Sequence, residues 1–360
     1  MKRSWFLLAT LAFASPQLFA GQPEVTAGSQ VRAEIARLRA AVQQKPASGK
    51  WKDAKASVGD LLDESAAALR AGRMYLSLED LRRARNFFRA TELSDIPESK
   101  KDLSGFESTW STASVKLTAF DQSERGKPWS GFPAAIRALG EASEGRVMPL
   151  VEASRAYAKV TSAAEGFYYL GEAQAESDWV QFTRSLKITT PAAPLVAHSI
   201  SPQIEKLQED TNAIFQPPLS IERHRDFIML NAAIKMAREL DAAQLYAGAL
   251  YRYLDALQQF ATLDAATPTA AQKLKLQRDL SSLKSRMSAE RDDSIAQLFV
   301  QRTEALLSKG AAASDHDWKN VAAIIQQVLP AYFAALGAPP AERQVAQNAV
   351  TVTLVRWPYT

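Results

Sequence analysis

The chain has 360 residues, 43 basic against 39 acidic, for a formal charge of +4. Both signs are mixed along it, without the polybasic tract that nucleic acid or an anionic membrane selects, so no nucleic-acid partner is expected. It has no cysteine, which excludes disulfides, an acylated cysteine anchor and Cys-containing metal or haem motifs; stability is expected from burial alone.

Residues 1–20, MKRSWFLLATLAFASPQLFA, place Lys2 and Arg3 before an apolar run from Trp5 to Ala14, then small residues up to Gly21. This is the pattern of a cleaved secretory signal, too short and wrongly flanked to span a membrane. Cleavage after Ala20 is expected to leave a periplasmic or secreted chain. No later stretch approaches the roughly 18 uninterrupted apolar residues of a spanning helix, so no integral membrane segment is expected and the mature chain should be soluble.

Residues 21–347 read as a single helical domain. Val31, Ile35, Leu38 and Val42 recur at helical spacing, as do Leu276, Leu280, Leu283 and Met287, each group drawing one apolar stripe. The pattern predicts helices near 30–45, 58–71, 73–93, 105–120, 134–145, 149–160, 163–186, 202–215, 221–239, 242–263, 270–309 and 315–336, with a break in the 270–309 helix at AERDDS, 289–294. Helix starts are marked by Ser104 with Glu107, Ser162 with Glu165, Thr269 with Gln272 and Ser314 with Asp317, spaced as capping boxes. Ser201 before Pro202 marks another. The proline- and serine-rich stretch at 187–200 suggests a pinch in the body. NAVTVTLVRW, residues 348–357, is β-branched and closed by Pro358, so 348–360 are expected to form a C-terminal β-strand and tail. LKITT at 186–190 and PLVAHSI at 194–200 are its candidate partners. The fold class expected is all-α, an array or bundle of helical hairpins with this short strand.

AGRMYLSLEDLRRARNFF from Ala71 aligns loosely with EGFYYLGEAQAESDWVQF from Glu165, and the stretch from Phe227 reads as a hairpin turning near 239–241. In these stretches the chain resembles the tetratricopeptide family of helix-turn-helix repeats. Phe227, Leu230, Ile234 and Ala243 fall at that family's packing positions, and Phe167, Leu170 and Gly171 match its first-helix pattern. Thr183 stands where a small residue is expected. The resemblance implies an α-solenoid with a protein-binding surface.

The stretch EGFYYLGEAQAESDWVQF holds the candidate ligand residues. On a helical wheel Tyr168, Trp179 and Phe182 form one apolar flank and Tyr169, Ala173 and Val180 another, with Glu165, Glu172 and Glu176 between them. Carboxylates inside an apolar arc need partners. Arg82, Arg83 and Arg85 are internal candidates, and a bound cationic group is the alternative. Trp129, in the loop sequence KPWSGFP, either forms a contact platform or anchors its loop. The chain has no Glu-x-x-His, Gly-x-Ser-x-Gly, phosphate-cradling glycine loop or His-Glu-x-x-His, and its three histidines, His198, His224 and His316, are far apart. Ser281 and Lys284 have the Ser-x-x-Lys spacing without its companion motifs. No metal, cofactor or catalytic residue is therefore assigned. The expected function is an exported helical binding or scaffold protein whose partner is a protein or envelope component. The alternative is an envelope enzyme or small-ligand binder using an acidic-aromatic cleft of Tyr168, Tyr169, Glu172, Glu176 and Trp179.

Overall fold

A computed structural model describes residues 26–96, 103–189, 193–215, 221–263, 265–287 and 291–337. The signal sequence expected at 1–20 and the strand expected at 348–360 lie outside these residues. Among the described residues every regular element is a helix, and both candidate partners for the strand, around 186–189 and 194–200, are irregular backbone.

The first hairpin explains how apolar spacing sets helix ends. α1 (Ala27–Gln43) buries the expected stripe of Val31, Ile35, Leu38 and Val42. α2 (Trp51–Arg70) starts about two turns before the expected residue 58, because Trp51 and Ala54 extend the buried stripe of Val58 and Leu62. Trp51 packs on Phe88 of α3 (Met74–Ser94), with ring centroids 5.3 Å apart. The turn between α2 and α3 uses Gly72 at φ +73°, backbone that suits glycine because it lacks a Cβ.

α4 (Leu103–Glu124), α5 (Ala134–Val160) and α6 (Ala163–Ser185) follow. Two helices were expected over 134–160, yet α5 runs unbroken through Pro149. An interior proline costs about 3 kcal/mol; here both halves are held by burial, Ile136 and Leu139 before it and Leu150 and Val151 after it. α6 packs along α5 and also crosses α3 closely. A Cβ on Gly171 would stand 2.7 Å from the Cα of Ala90, so glycine is what permits that crossing.

α7 (Ser201–Ile214) leads to the hairpin of α8 (His224–Ala242) and α9 (Tyr246–Leu263). Its turn lies at 243–245, later than expected, with Gln244 in the left-handed region at φ +65°. α10 (Ala270–Ser285) and α11 (Ser294–Leu307) replace the single long helix. The interruption has a clear purpose in the packing. Asp292 Oδ2 accepts from the Ala134 amide at 2.6 Å and Ser294 Oγ accepts from the Ala135 amide at 2.8 Å, so the break supplies the cap that α5 lacks in its own sequence.

α12 (Asp315–Ala323) passes through a π-helical turn at Ile324–Val328 into α13 (Leu329–Gly337). Asp315–Gly337 is long and apolar enough to cross a membrane by length and composition. In the fold it is a core helix, with Val321, Ile324, Val328 and Tyr332 buried.

Among the described residues every α-helix except α4 contributes to one main core; a smaller cluster joins α4 to parts of α5 and α6 around Phe106, Val147 and Phe167. α11 packs against α3 and α5, far away in sequence, whereas a solenoid repeat touches only its neighbours. Phe227, Leu230 and Ile234 are buried as the tetratricopeptide spacing implies. Ala243, at that family's small packing position, is exposed beyond the end of α8. The arrangement is an all-α bundle or array of hairpins with long-range packing between them.

Candidate functional site

Ser162 caps α6 by accepting from the Glu165 amide at 3.2 Å, which fixes the start of the helix, and burial of Phe167, Leu170, Trp179 and Val180 turns one face inward. Glu165 is left exposed, Glu172 half-buried and Glu176 fully enclosed. Glu176 Oε1 accepts from Arg82 at 2.8 Å, Asn86 at 2.7 Å and Arg146 at 2.7 Å. Burial pushes its pKa up, but the Arg82 and Arg146 charges outweigh that and hold it at about 2. Arg146 also reaches Glu172 at 3.4 Å. The acidic seam is thus answered from α3 and α5. Of the three arginines suggested by the sequence, only Arg82 is the partner: Arg83 turns to Asp80 and Arg85 to Glu34.

The aromatic candidates are distributed differently. Trp179 is fully buried, while Tyr168 and Tyr169 are half-buried at the edge, Tyr169 stacked on Tyr157 at 4.4 Å. Burial, reinforced by Glu172 and Glu165, raises the Tyr168 hydroxyl to about 12. Trp129 is buried; its indole donates to Glu144 Oε2 at 3.1 Å and lies 3.9 Å beneath the Arg184 guanidinium. Trp129 fills the space beside Gly140, where a Cβ would collide with the ring at 2.2 Å. That is the geometry of a loop anchor. None of these six residues lines either of the two large cavities.

One cavity, of about 700 Å³, opens between α2, α3, α9, α11 and α12. Its volume lies within the range of small-molecule sites. Six cationic side chains line it, Arg73, Arg82, Arg83, Arg252, Arg302 and Lys309, together with five acids, Glu64, Glu79, Asp80, Asp255 and Asp317. Arg302 of α11 is saturated. It pairs in two-pronged fashion with Glu79, donates to Asp255 at 3.1 Å and Gln258 at 2.9 Å, and approaches the Tyr251 hydroxyl at 3.3 Å. Tyr251 in turn donates to Glu79. Burial would raise Glu79, but Arg302 and these hydrogen bonds keep it at about 2.

Two groups in the same cavity lack such partners. Arg252 on α9 is 8 % exposed, yet its Nε and Nη2 bond to nothing and its nearest acid oxygen, on Asp255, is 3.7 Å from Nη1. Burial lowers its pKa, and the neighbouring Arg82 and Arg146 charges act in the same direction. Asp80 on α3 is 6 % exposed and meets only Arg83, at 3.3 Å, whose side chain is largely in solvent. Burial first, then the adjacent Glu79 charge, push Asp80 up to about 7. A buried charged donor without a partner costs more than the roughly 1–3 kcal/mol of a neutral one. Packing alone gives no return for that cost.

The second cavity, of about 670 Å³, lies between α7, α9, α10 and the π-helical turn, lined by residues such as Leu207, Tyr253, Phe260, Leu276 and Gln326. It contains no enclosed charge: Lys206 and Asp210 at its rim pair with each other at 2.6 Å. The Arg252 cavity is therefore the stronger candidate.

Sequence reasoning missed Arg252, Asp80 and the Glu79–Arg302 pair. A signal was present, since Arg252 interrupts the apolar run LYRYL and Glu79-Asp80 interrupts LSLEDL. Among the described residues no group of three or more His, Asp or Glu could hold a metal ion; the acids answer to arginines. Comparison with protein-family models, with curated proteins and with solved structures gave no match.

Proposed function

We propose that this chain is a non-catalytic small-ligand-binding protein, exported by its N-terminal leader, and that the ligand sits in the cavity between α3, α9 and α11. The observation carrying this reading is the contrast between two arginines of one cavity wall. Arg302 has all its partners, whereas the Arg252 side chain, on a residue more than nine-tenths buried, has a 3.7 Å ion pair with Asp255 and leaves its Nε and Nη2 without a hydrogen bond among the described residues. Perturbed, incompletely paired ionisable groups gather where a ligand completes them. An acidic group on the ligand is the complement of Arg252, because a guanidinium fork matches a carboxylate or phosphate.

The scaffold reading expected from the hairpin pattern has less support. The large exposed apolar side chains among the described residues, including Val115, Val160, Val196, Met229 and Leu274, are spread over α4, α5, α8, α10 and the segment before α7, while a protein interface draws on a contiguous apolar patch. The small-ligand alternative is favoured, with its site moved from the Glu172/Glu176 seam to the neighbouring cavity.

Thermal unfolding with succinate, inorganic phosphate and free amino acids tests the reading. At least one is expected to raise the melting temperature of the wild-type chain, and Arg252→Ala to abolish that rise. No rise with any of them, or an equal rise in the variant, overturns it.

A further inference from the structure

We infer that the cavity is built for a dipolar ligand, one carrying both a carboxylate and an ammonium group, as an amino acid or short peptide does; this rests on the ligand-binding reading above. The carboxylate is assigned to Arg252 and the ammonium to Asp80. Both residues line the same cavity and both are more than nine-tenths buried. Each is left short by its neighbours. Arg252 Nη1 pairs only loosely with Asp255 Oδ2, at 3.7 Å, while Arg302 holds Oδ1 at 3.1 Å, and the Arg252 Nε and Nη2 bond to nothing. Asp80 has only Arg83, a side chain 57 % exposed, at 3.3 Å, a contact that solvent screens.

Single-sign ligands fit the wall less well. An anion placed on Arg252 alone leaves Asp80 enclosed with only the solvent-facing Arg83, beside the charged Glu79, whose own oxygens are taken by Arg302 and Tyr251. A cation placed on Asp80 alone leaves the Arg252 Nε and Nη2 without partners. Enclosed charges are stable only when paired and hydrogen-bonded, and a dipolar ligand pairs both at once. The near balance of six cations and five acids around the wall agrees with a ligand of little net charge.

The test is isothermal titration calorimetry on the full chain with the free L-amino acids and with L-Ala-L-Ala, each compared with its N-acetyl and C-amide derivatives. Succinate and inorganic phosphate serve as purely anionic probes. At least one dipolar compound is expected to bind, and blocking either end to weaken it by about tenfold or more, the loss of one charge-assisted hydrogen bond. Whether free amino acids or the dipeptide bind more tightly tells the two sources apart. In Asp80→Asn the penalty for N-acetylation should disappear while the C-amide penalty remains. Equal binding of the N-acetyl and free forms overturns the dipolar assignment, as does binding of succinate or phosphate alone; both results leave the Arg252 cavity standing as an anion site. Absence of binding by every probe overturns both. The wild-type series of blocked compounds decides the matter even where a variant does not fold.

Discussion

Arg252 Nη1 lies 3.7 Å from Asp255 Oδ2, within ion-pair reach but too far for a hydrogen bond, while Arg302 donates to Oδ1 of the same carboxylate at 3.1 Å. One acid between two buried arginines leaves Arg252 with a loose ion pair and its Nε and Nη2 without a hydrogen bond. If Arg252 served the fold, replacing it would weaken the protein. A residue kept for a ligand behaves in the opposite way. Arg252→Met keeps the packing of the stem and removes the poorly paired charge, so urea unfolding of the ligand-free chain should show a gain of about 1–3 kcal/mol. A loss of several kcal/mol would assign Arg252 to the fold instead.

Glu176 presents the reverse case. It answers Arg82 and Arg146 together from full burial, and removing its charge leaves two cations facing each other. Glu176→Gln is expected to lower stability by about 3–5 kcal/mol in denaturant unfolding. Glu172→Gln should cost less than about 1 kcal/mol, since its Arg146 contact is longer, at 3.4 Å, and partly open to water. Similar losses at the two positions would contradict the assignment of Glu176 as the structural acid of the seam.

Stability should also depend on pH through these acids. Asp80 is pushed from an ordinary 3.8 to about 7 by burial and by Glu79, against the weaker pull of Arg83. The folded chain then keeps a proton that the unfolded chain has released, so Asp80 makes stability fall as pH rises from about 4 to about 7. Asp80→Asn should raise the unfolding free energy at pH 8, by up to about 4 kcal/mol, and leave it unchanged at pH 3. Glu79 and Glu176, held at about 2, act in the opposite direction, and their stabilisation is lost as pH falls from 4.5 toward 2. A gain from Asp80→Asn of equal size at both pH values would rule out the buried, protonated carboxyl.

Two glycines separate helix propensity from packing. Gly59 lies inside α2 with nothing within 4 Å of an added Cβ, whereas the Cβ of Gly171 would press on the backbone of Ala90 at 2.7 Å. Gly59→Ala should stabilise the chain by about 0.5–1 kcal/mol. Gly171→Ala should destabilise it by 1 kcal/mol or more, roughly the cost of overpacking. Melting curves of the two variants are expected to shift in opposite directions, and a shared sign would refute the close α3–α6 crossing.

Helix content was legible in the sequence because apolar spacing and caps act within a turn or two. Val31, Ile35, Leu38 and Val42 are buried as one stripe, and Thr269 with Gln272 and Ser314 with Asp317 close as capping boxes. Even the inward set of Glu176 followed from its helical wheel. Tertiary structure decided what local spacing cannot encode. α5 crosses Pro149 because its two halves are buried together, and its N-terminus is capped from Asp292, 158 residues away. The outcome at Asp255 is of the same kind: Arg252 is three residues away on the same helix, yet it is Arg302 from α11 that hydrogen-bonds the carboxylate, through Oδ1. Hydrogen-bond partners are settled by which side chains packing brings within reach, so the arginine left with a loose ion pair appears only in three dimensions.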